Sequence, residues 1–150
     1  MDDAGRATDQ FESDRRTVVI VAVALFASLA LYAFLGLFLA GRATSGSPGK
    51  GNWLFLPLAA AGSFGYVAIA YAARSTLRSQ RGSAANRVRS YFVMRMAAAE
   101  AIGIIGLVVA LTGAERSRVL ALFGISAIAL AASAPTRHAW RNALETAGAA

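Results

Sequence analysis

The chain has 150 residues, of which 57% are hydrophobic and 15% charged, with a formal net charge of +7 and a mean hydropathy of +0.52. A soluble fold of this length cannot hide so much apolar surface, so the composition excludes an ordinary soluble domain and points to a membrane solvent. The lack of cysteine excludes disulfides, thiolate metal sites and cysteine nucleophiles; the fifteen Lys and Arg residues lie between apolar runs, a pattern suited to anionic lipid headgroups and not to nucleic acid.

Residues 1–16 (MDDAGRATDQFESDRR) carry five acids and three arginines and are expected to form a disordered tail. Thr17 to Ala40 follows, 24 residues without a charge. At about 1.5 Å per residue it crosses a hydrocarbon layer of about 30 Å with room for tilt. A cleaved secretory signal is the competing reading, because Leu39-Ala40-Gly41-Arg42-Ala43 contains small residues. The apolar run, however, exceeds the usual ~7–15 residues, and an acid-rich tail precedes it.

The Gly/Ser/Pro connector from Gly41 to Asn52 leads to a second span, Trp53 to Ala73, with Trp53 as its interfacial anchor. Its middle, Ala59-Ala60-Ala61-Gly62-Ser63-Phe64-Gly65, concentrates small residues, which let membrane helices approach closely. This predicts a central position for span two, with Gly62 and Gly65 in its packing face. The next connector, Arg74 to Ser90, holds five arginines: Arg74, Arg78, Arg81, Arg87 and Arg89. The first three fall at i, i+4 and i+7, one face of a helical continuation. The plain reading is an anchor for anionic lipid that also sets topology; the sharper one is a site for a phosphorylated ligand. Gly82 to Asn86 is expected to break the helix before span three.

Span three, Tyr91 to Gly113 (YFVMRMAAAEAIGIIGLVVALTG), holds the residue hardest to place in a bilayer, Glu100. A charge at mid-membrane costs roughly 2.5–3.5 kcal/mol on insertion scales, so such a group faces protein or trapped water. Ala99, Gly103, Gly106 and Ala110 recur at steps of four, three and four, a narrow stripe for close packing. Glu100 stands about 100° round from that stripe, at its flank. Its own helix face offers no side-chain donor, so a partner must come from another span: Ser63, Tyr66 or Tyr71 on span two, Ser126 on span four, or Tyr32 on span one. Arg95 is a poor counter-ion, because five residues give about 140° of rotation and 7.5 Å of rise. It lies about one turn from the span boundary, where its guanidinium can snorkel to the headgroups or pair across helices.

Span four, Val119 to Ala134, is short at sixteen residues, and either begins within Glu115 to Arg118 or thins the bilayer. After Pro135, the segment Arg137 to Leu144 sets Trp140, Ala143 and Leu144 on one side of a helix, as expected for an amphipathic helix in the headgroup layer anchored by Trp140. His138, the single histidine, reads as interfacial, since a metal site needs several donors. With four spans, both tails and the middle connector share one side and hold ten Lys and Arg against four on the other, Arg95 lying within a span. The richer side is predicted to be cytoplasmic, and both termini with it.

Two resemblances reside in these residues. Ala97 to Ala110 (AAAEAIGIIGLVVA) resembles the carboxylate-bearing helix of the ATP synthase proteolipid, the ring-forming c subunit, which implies an ion-binding role for Glu100. It covers one span of the four. From Tyr91 to Arg141, an order of features is similar to a recurrent group of small, uncharacterised bacterial membrane proteins with four spans: Met94-Arg95-Met96, Ala-Glu-Ala, Gly-Leu-Val-Val, Leu111-Thr112-Gly113 and Ala-Pro-Thr-Arg. That resemblance implies a bacterial inner-membrane location and brings no activity.

The sequence therefore predicts an all-α integral membrane bundle with spans at 17–40, 53–73, 91–113 and 119–134 and a cytoplasmic tail at 135–150. No phosphate loop, catalytic triad or metal cluster is visible, and no cofactor or enzymatic role is expected. The first functional expectation is a structural or accessory component, self-associating or docked in a larger membrane complex through the small-residue seams of spans two and three. The rival is proton- or cation-coupled translocation by Glu100. A small multidrug-type exporter shares four short spans and one embedded carboxylate, but would carry it in span one, which has none.

Overall fold

The computed structural model describes residues 3–42, 52–78 and 82–148, with side chains over 12–39, 53–78 and 82–148. The described residues form helices and no strand: α1 (Asp3–Arg42), α2 (Asn52–Arg78), α3 (Ala84–Leu111), α4 (Arg116–Ala132) and α5 (Arg137–Thr146). α1, α2 and α3 are each long and apolar enough to cross a membrane; α4 and α5, bent by 64° at their junction, qualify only when taken together. α4 alone rises about 25 Å, short of the ~30 Å hydrocarbon layer.

Two helix boundaries depart from the sequence expectation. The acidic tail is helical from Asp3, the start of a single 40-residue helix, rather than disordered. It contains no proline, and Arg15 Nη2 pairs with Glu12 Oε1 at 2.6 Å one turn away. Once the apolar segment has nucleated a helix, adding residues is inexpensive. α3 begins at Ala84 instead of near Tyr91, because Ser83 caps it: its hydroxyl accepts from the Asn86 amide at 3.3 Å. At its other end the Gly113 amide bonds the Ala110 carbonyl and the Ala114 amide bonds the Val109 carbonyl. Gly113, at φ 77°, turns the chain in the left-handed region where a side chain would be strained.

α3 is the hub. It packs against α1, α2 and α4, α1 also packs against α4, and α2 rests mainly on α3. The expectation that span two is central is thus corrected. Of its small residues, Gly62 meets Ile105 and Ile102 of α3, whereas Ala60, Ala61 and Ser63 are exposed. α3 suits the hub because from Met96 to Leu111 its single charged residue is Glu100, so nearly every face of that stretch can be buried. Phe92, Met96, Ala99, Ile102, Val109 and Ala110 are each at most 3% exposed. The outward faces of α1 and α2 carry large apolar side chains, including Ile20, Phe34, Trp53, Leu56, Phe64 and Tyr71.

α5 has the amphipathic pattern its sequence shows, but the apolar side faces the bundle. Trp140 is 3% exposed and stacks on Phe92 of α3, with centroids 5.4 Å apart. The expected headgroup anchor is therefore a packing residue, because the bend after Ser133 folds α5 back over the ends of α2 and α3. Thr136 caps the new helix by accepting from the Ala139 amide at 3.2 Å.

Candidate functional site

α3 brings Glu100 against α1, where the Ser28 hydroxyl hydrogen-bonds Glu100 Oε1. The same hydroxyl lies 2.9 Å from the Leu25 carbonyl one turn back on α1. A hydroxyl has one proton, so the three oxygens can be arranged in two ways. Ser28 donates to a carboxylate, or it donates to the Leu25 carbonyl while a protonated carboxyl donates to Ser28. Both give Glu100 Oε1 a partner in its own chain, and the half-buried carboxyl sits between α1 and α3.

The partners expected for Glu100 are corrected accordingly. Ser63 is exposed on α2. The Tyr66 hydroxyl is 3.2 Å from Ser133 Oγ at the α4–α5 bend. Ser126, fully buried, donates at 2.7 Å to the Ala99 carbonyl, across the stripe from Glu100. Ser28 was missed by sequence reasoning. It lies eleven residues into span one and Glu100 nine into span three, so depth alone makes it a candidate; yet Ser63 and Ser126 sit at similar depth. What separates them is the rotation of each helix, which tertiary packing sets.

The stripe itself is filled by neighbours. A methyl built on Gly103 would lie 2.5 Å from Leu29 Cδ1 of α1 and 3.1 Å from Ser126 Oγ of α4. On Gly106 it would lie 3.2 Å from Leu122 Cβ, and Ala99 and Ala110 are buried beside them. Gly36 of α1, not singled out in the sequence, is equally tight, 2.8 Å from the Phe123 ring. Gly65 is the exception and a correction: nothing lies within 4 Å of the place its side chain would occupy. Ala61, Gly65, Ala68 and Ala72 repeat the four–three–four spacing of the α3 stripe on a face of α2 that no other described helix covers.

Arg95 does not meet Glu100. It turns back one helical turn, donating to the Tyr91 hydroxyl at 2.8 Å with its guanidinium 5.4 Å from the Tyr91 ring centre. The Tyr66 hydroxyl is its other polar neighbour. The connector arginines have separate fates. α2 continues helically through Arg74 and Arg78, both exposed, and Arg89 is exposed on α3. Arg81 lies outside the described residues. Arg87 is corrected from lipid ligand to clamp: it donates to the Leu77 carbonyl at 3.2 Å and the Ala147 carbonyl at 2.7 Å, tying the C-terminal ends of α2 and α5 to the start of α3. A cation is well placed there, since helix C-termini carry unsatisfied carbonyls and negative dipole ends. His138 is exposed, 3.2 Å from the Asn142 amide nitrogen, and no group of three acids or histidines among the described residues can hold a metal.

No protein-family model, curated protein or solved structure matches the chain. Function therefore rests on the site's own chemistry.

Proposed function

We propose that this chain is a multi-pass protein of the bacterial inner membrane that serves as a structural or accessory component of a membrane assembly. In this reading α1, α2, α3 and the bent α4–α5 unit make four passes, with both termini on the cytoplasmic side, where the arginine-rich ends of α2 and α3 meet anionic lipid. The observation that carries the reading is the Ser28–Glu100 bond: the costly acid finds a partner inside one bundle and joins α1 to α3. The uncovered stripe Ala61, Gly65, Ala68 and Ala72 supports α2 as the face offered to another membrane helix, from a second copy or a different protein. Because the chain has no cysteine, Ala68→Cys gives a single thiol for disulfide cross-linking in membranes. A cross-linked species is expected, and a thiol that lipid-soluble maleimide labels fully but no protein captures would overturn the docking face.

Proton- or cation-coupled translocation is the second reading, kept because Glu100 is only half-buried and a carboxylate at that depth often marks an ion path. Proteoliposomes loaded with a pH-reporting dye discriminate the two. The structural reading expects leakage equal to protein-free vesicles for both the wild type and Glu100→Gln. Flux present in the wild type and absent in Glu100→Gln would replace it with the transport reading.

A further inference from the structure

At the end of the bundle opposite the α3–α4 turn, a cleft of about 410 Å³ opens between α2, α3 and α5. Three arginines line it: Arg74 and Arg78 from successive turns of α2, and Arg95 from α3. Asn142 and Thr146 of α5 add neutral polar groups, Leu77, Phe92 and Ala143 supply apolar wall, and no carboxylate is among the described lining residues. Glu100 is not among the lining residues; its carboxyl meets Ser28 of α1 instead. Arg95 itself donates to the Tyr91 hydroxyl and lies near that of Tyr66, neutral groups that orient a cation without neutralising it. Three arginines around one concave, partly apolar space, with no acid among its described lining, leave it positively charged, and guanidinium forks match phosphate oxygens.

We propose that this cleft is a binding site for a phosphate ester, with Arg74, Arg78 and Arg95 as its ligands and Asn142 and Thr146 as hydrogen-bonding neighbours. Its position at the arginine-rich end of three helices suits the headgroup of an anionic phospholipid, and a free phosphorylated molecule offers the same chemistry. The site is distinct from general basic attraction, because the connector arginines divide. Arg87 is committed to two carbonyls, and Arg89 lines a separate hollow against α1 with Val18 and Val21. The proposal is independent of whether Glu100 is structural or transports an ion.

The molecule contains its own reporter: Trp140 stacks on Phe92, a lining residue. Trp53→Phe leaves Trp140 as the single indole in detergent-solubilised protein. Titration with short-chain phosphatidic acid or phosphatidylglycerol, with phosphatidylcholine as the neutral-headgroup control, is expected to change its fluorescence saturably for the anionic lipids. Arg74→Gln with Arg78→Gln, and separately Arg95→Gln, should weaken binding about tenfold or more, whereas Arg89→Gln should leave it unchanged. Circular dichroism checks that each variant retains its helices; Arg74 and Arg78 are exposed, so their pair of substitutions keeps the test valid even where Arg95→Gln unfolds. Saturation by lipid that excess inorganic phosphate does not displace identifies a headgroup site. Saturation by inorganic phosphate alone identifies a free phosphorylated ligand, and either result supports the cleft. Equal weakening by Arg89→Gln, equal binding of phosphatidylcholine, or no response to any probe overturns it.

Discussion

α2 and α3 carry small residues at the same four–three–four spacing, yet they use them oppositely. On α3 the stripe Ala99, Gly103, Gly106 and Ala110 is occupied by Leu29 from α1 and Ser126, Leu122 and Phe123 from α4. On α2 the stripe Ala61, Gly65, Ala68 and Ala72 faces away from the other helices, and Gly65 has open space around it. Small-residue spacing therefore marks where a helix can approach, without saying whether the partner belongs to the same chain. Polar groups follow the same division: Glu100 and the Ser126 contact lie on the occupied side, while Ser63 points outward.

The largest effect should come from filling the occupied stripe. Gly103→Leu has no room between Leu29 and Ser126, and overpacking of this kind costs about 1–3 kcal/mol or more. Denaturation of detergent-solubilised protein by increasing SDS, followed by helical circular dichroism, reads that loss. Wild-type stability in Gly103→Leu would mean that α1, α3 and α4 do not meet at this point.

Next in size is the polar joint of α1 and α3. Ser28→Ala removes the group Glu100 uses and should cost about 1 kcal/mol in the same assay. Glu100→Gln keeps a hydrogen-bonding partner and should stay within about 0.5 kcal/mol of wild type. Should Glu100→Gln destabilise more than Ser28→Ala, the acid has a partner stronger than the hydroxyl. Ser126→Ala, which loses the bond to the Ala99 carbonyl, is expected to cost about 0.6 kcal/mol, the average for such bonds within membrane helices.

How much of this was legible in the sequence depends on which physical scale set it. The three long helices, the narrow stripe on α3 and the position of Glu100 at its flank follow from chain-local periodicity, which the residues carry themselves. The choice of Ser28 over Ser63, Tyr66 or Ser126 does not, because all are hydroxyls on helices and only the mutual rotation of those helices selects one. The same limit explains Trp140. Its side of α5 was readable, but the interfacial and packed arrangements bury the same apolar face, and the 64° bend after α4 decides between them. Arg87 was misread for a related reason: an arginine in a basic loop gives no sign of the two helix ends that converge on it. Helix α1 extends to Asp3 because composition scores charge content, whereas a preformed helix adds residues at little cost.

The smallest stability effect is also the one that sharpens the contrast most. Gly65→Leu adds a large side chain to α2 at the same place in the spacing as Gly103 in α3, but into open space. Bundle stability should change by less than about 0.5 kcal/mol, as for a surface position. If the free stripe docks a neighbouring helix, however, the added bulk must block it, since close backbone approach needs a small residue. Combined with Ala68→Cys, Gly65→Leu should abolish the cross-linked species while the SDS denaturation curve stays in place. Loss of cross-linking without loss of stability would separate an external seam from an internal one within a single helix pair. Cross-linking that survives the leucine would show that α2 meets its neighbour through another face, and the identical spacing on the two helices would then be a coincidence of composition.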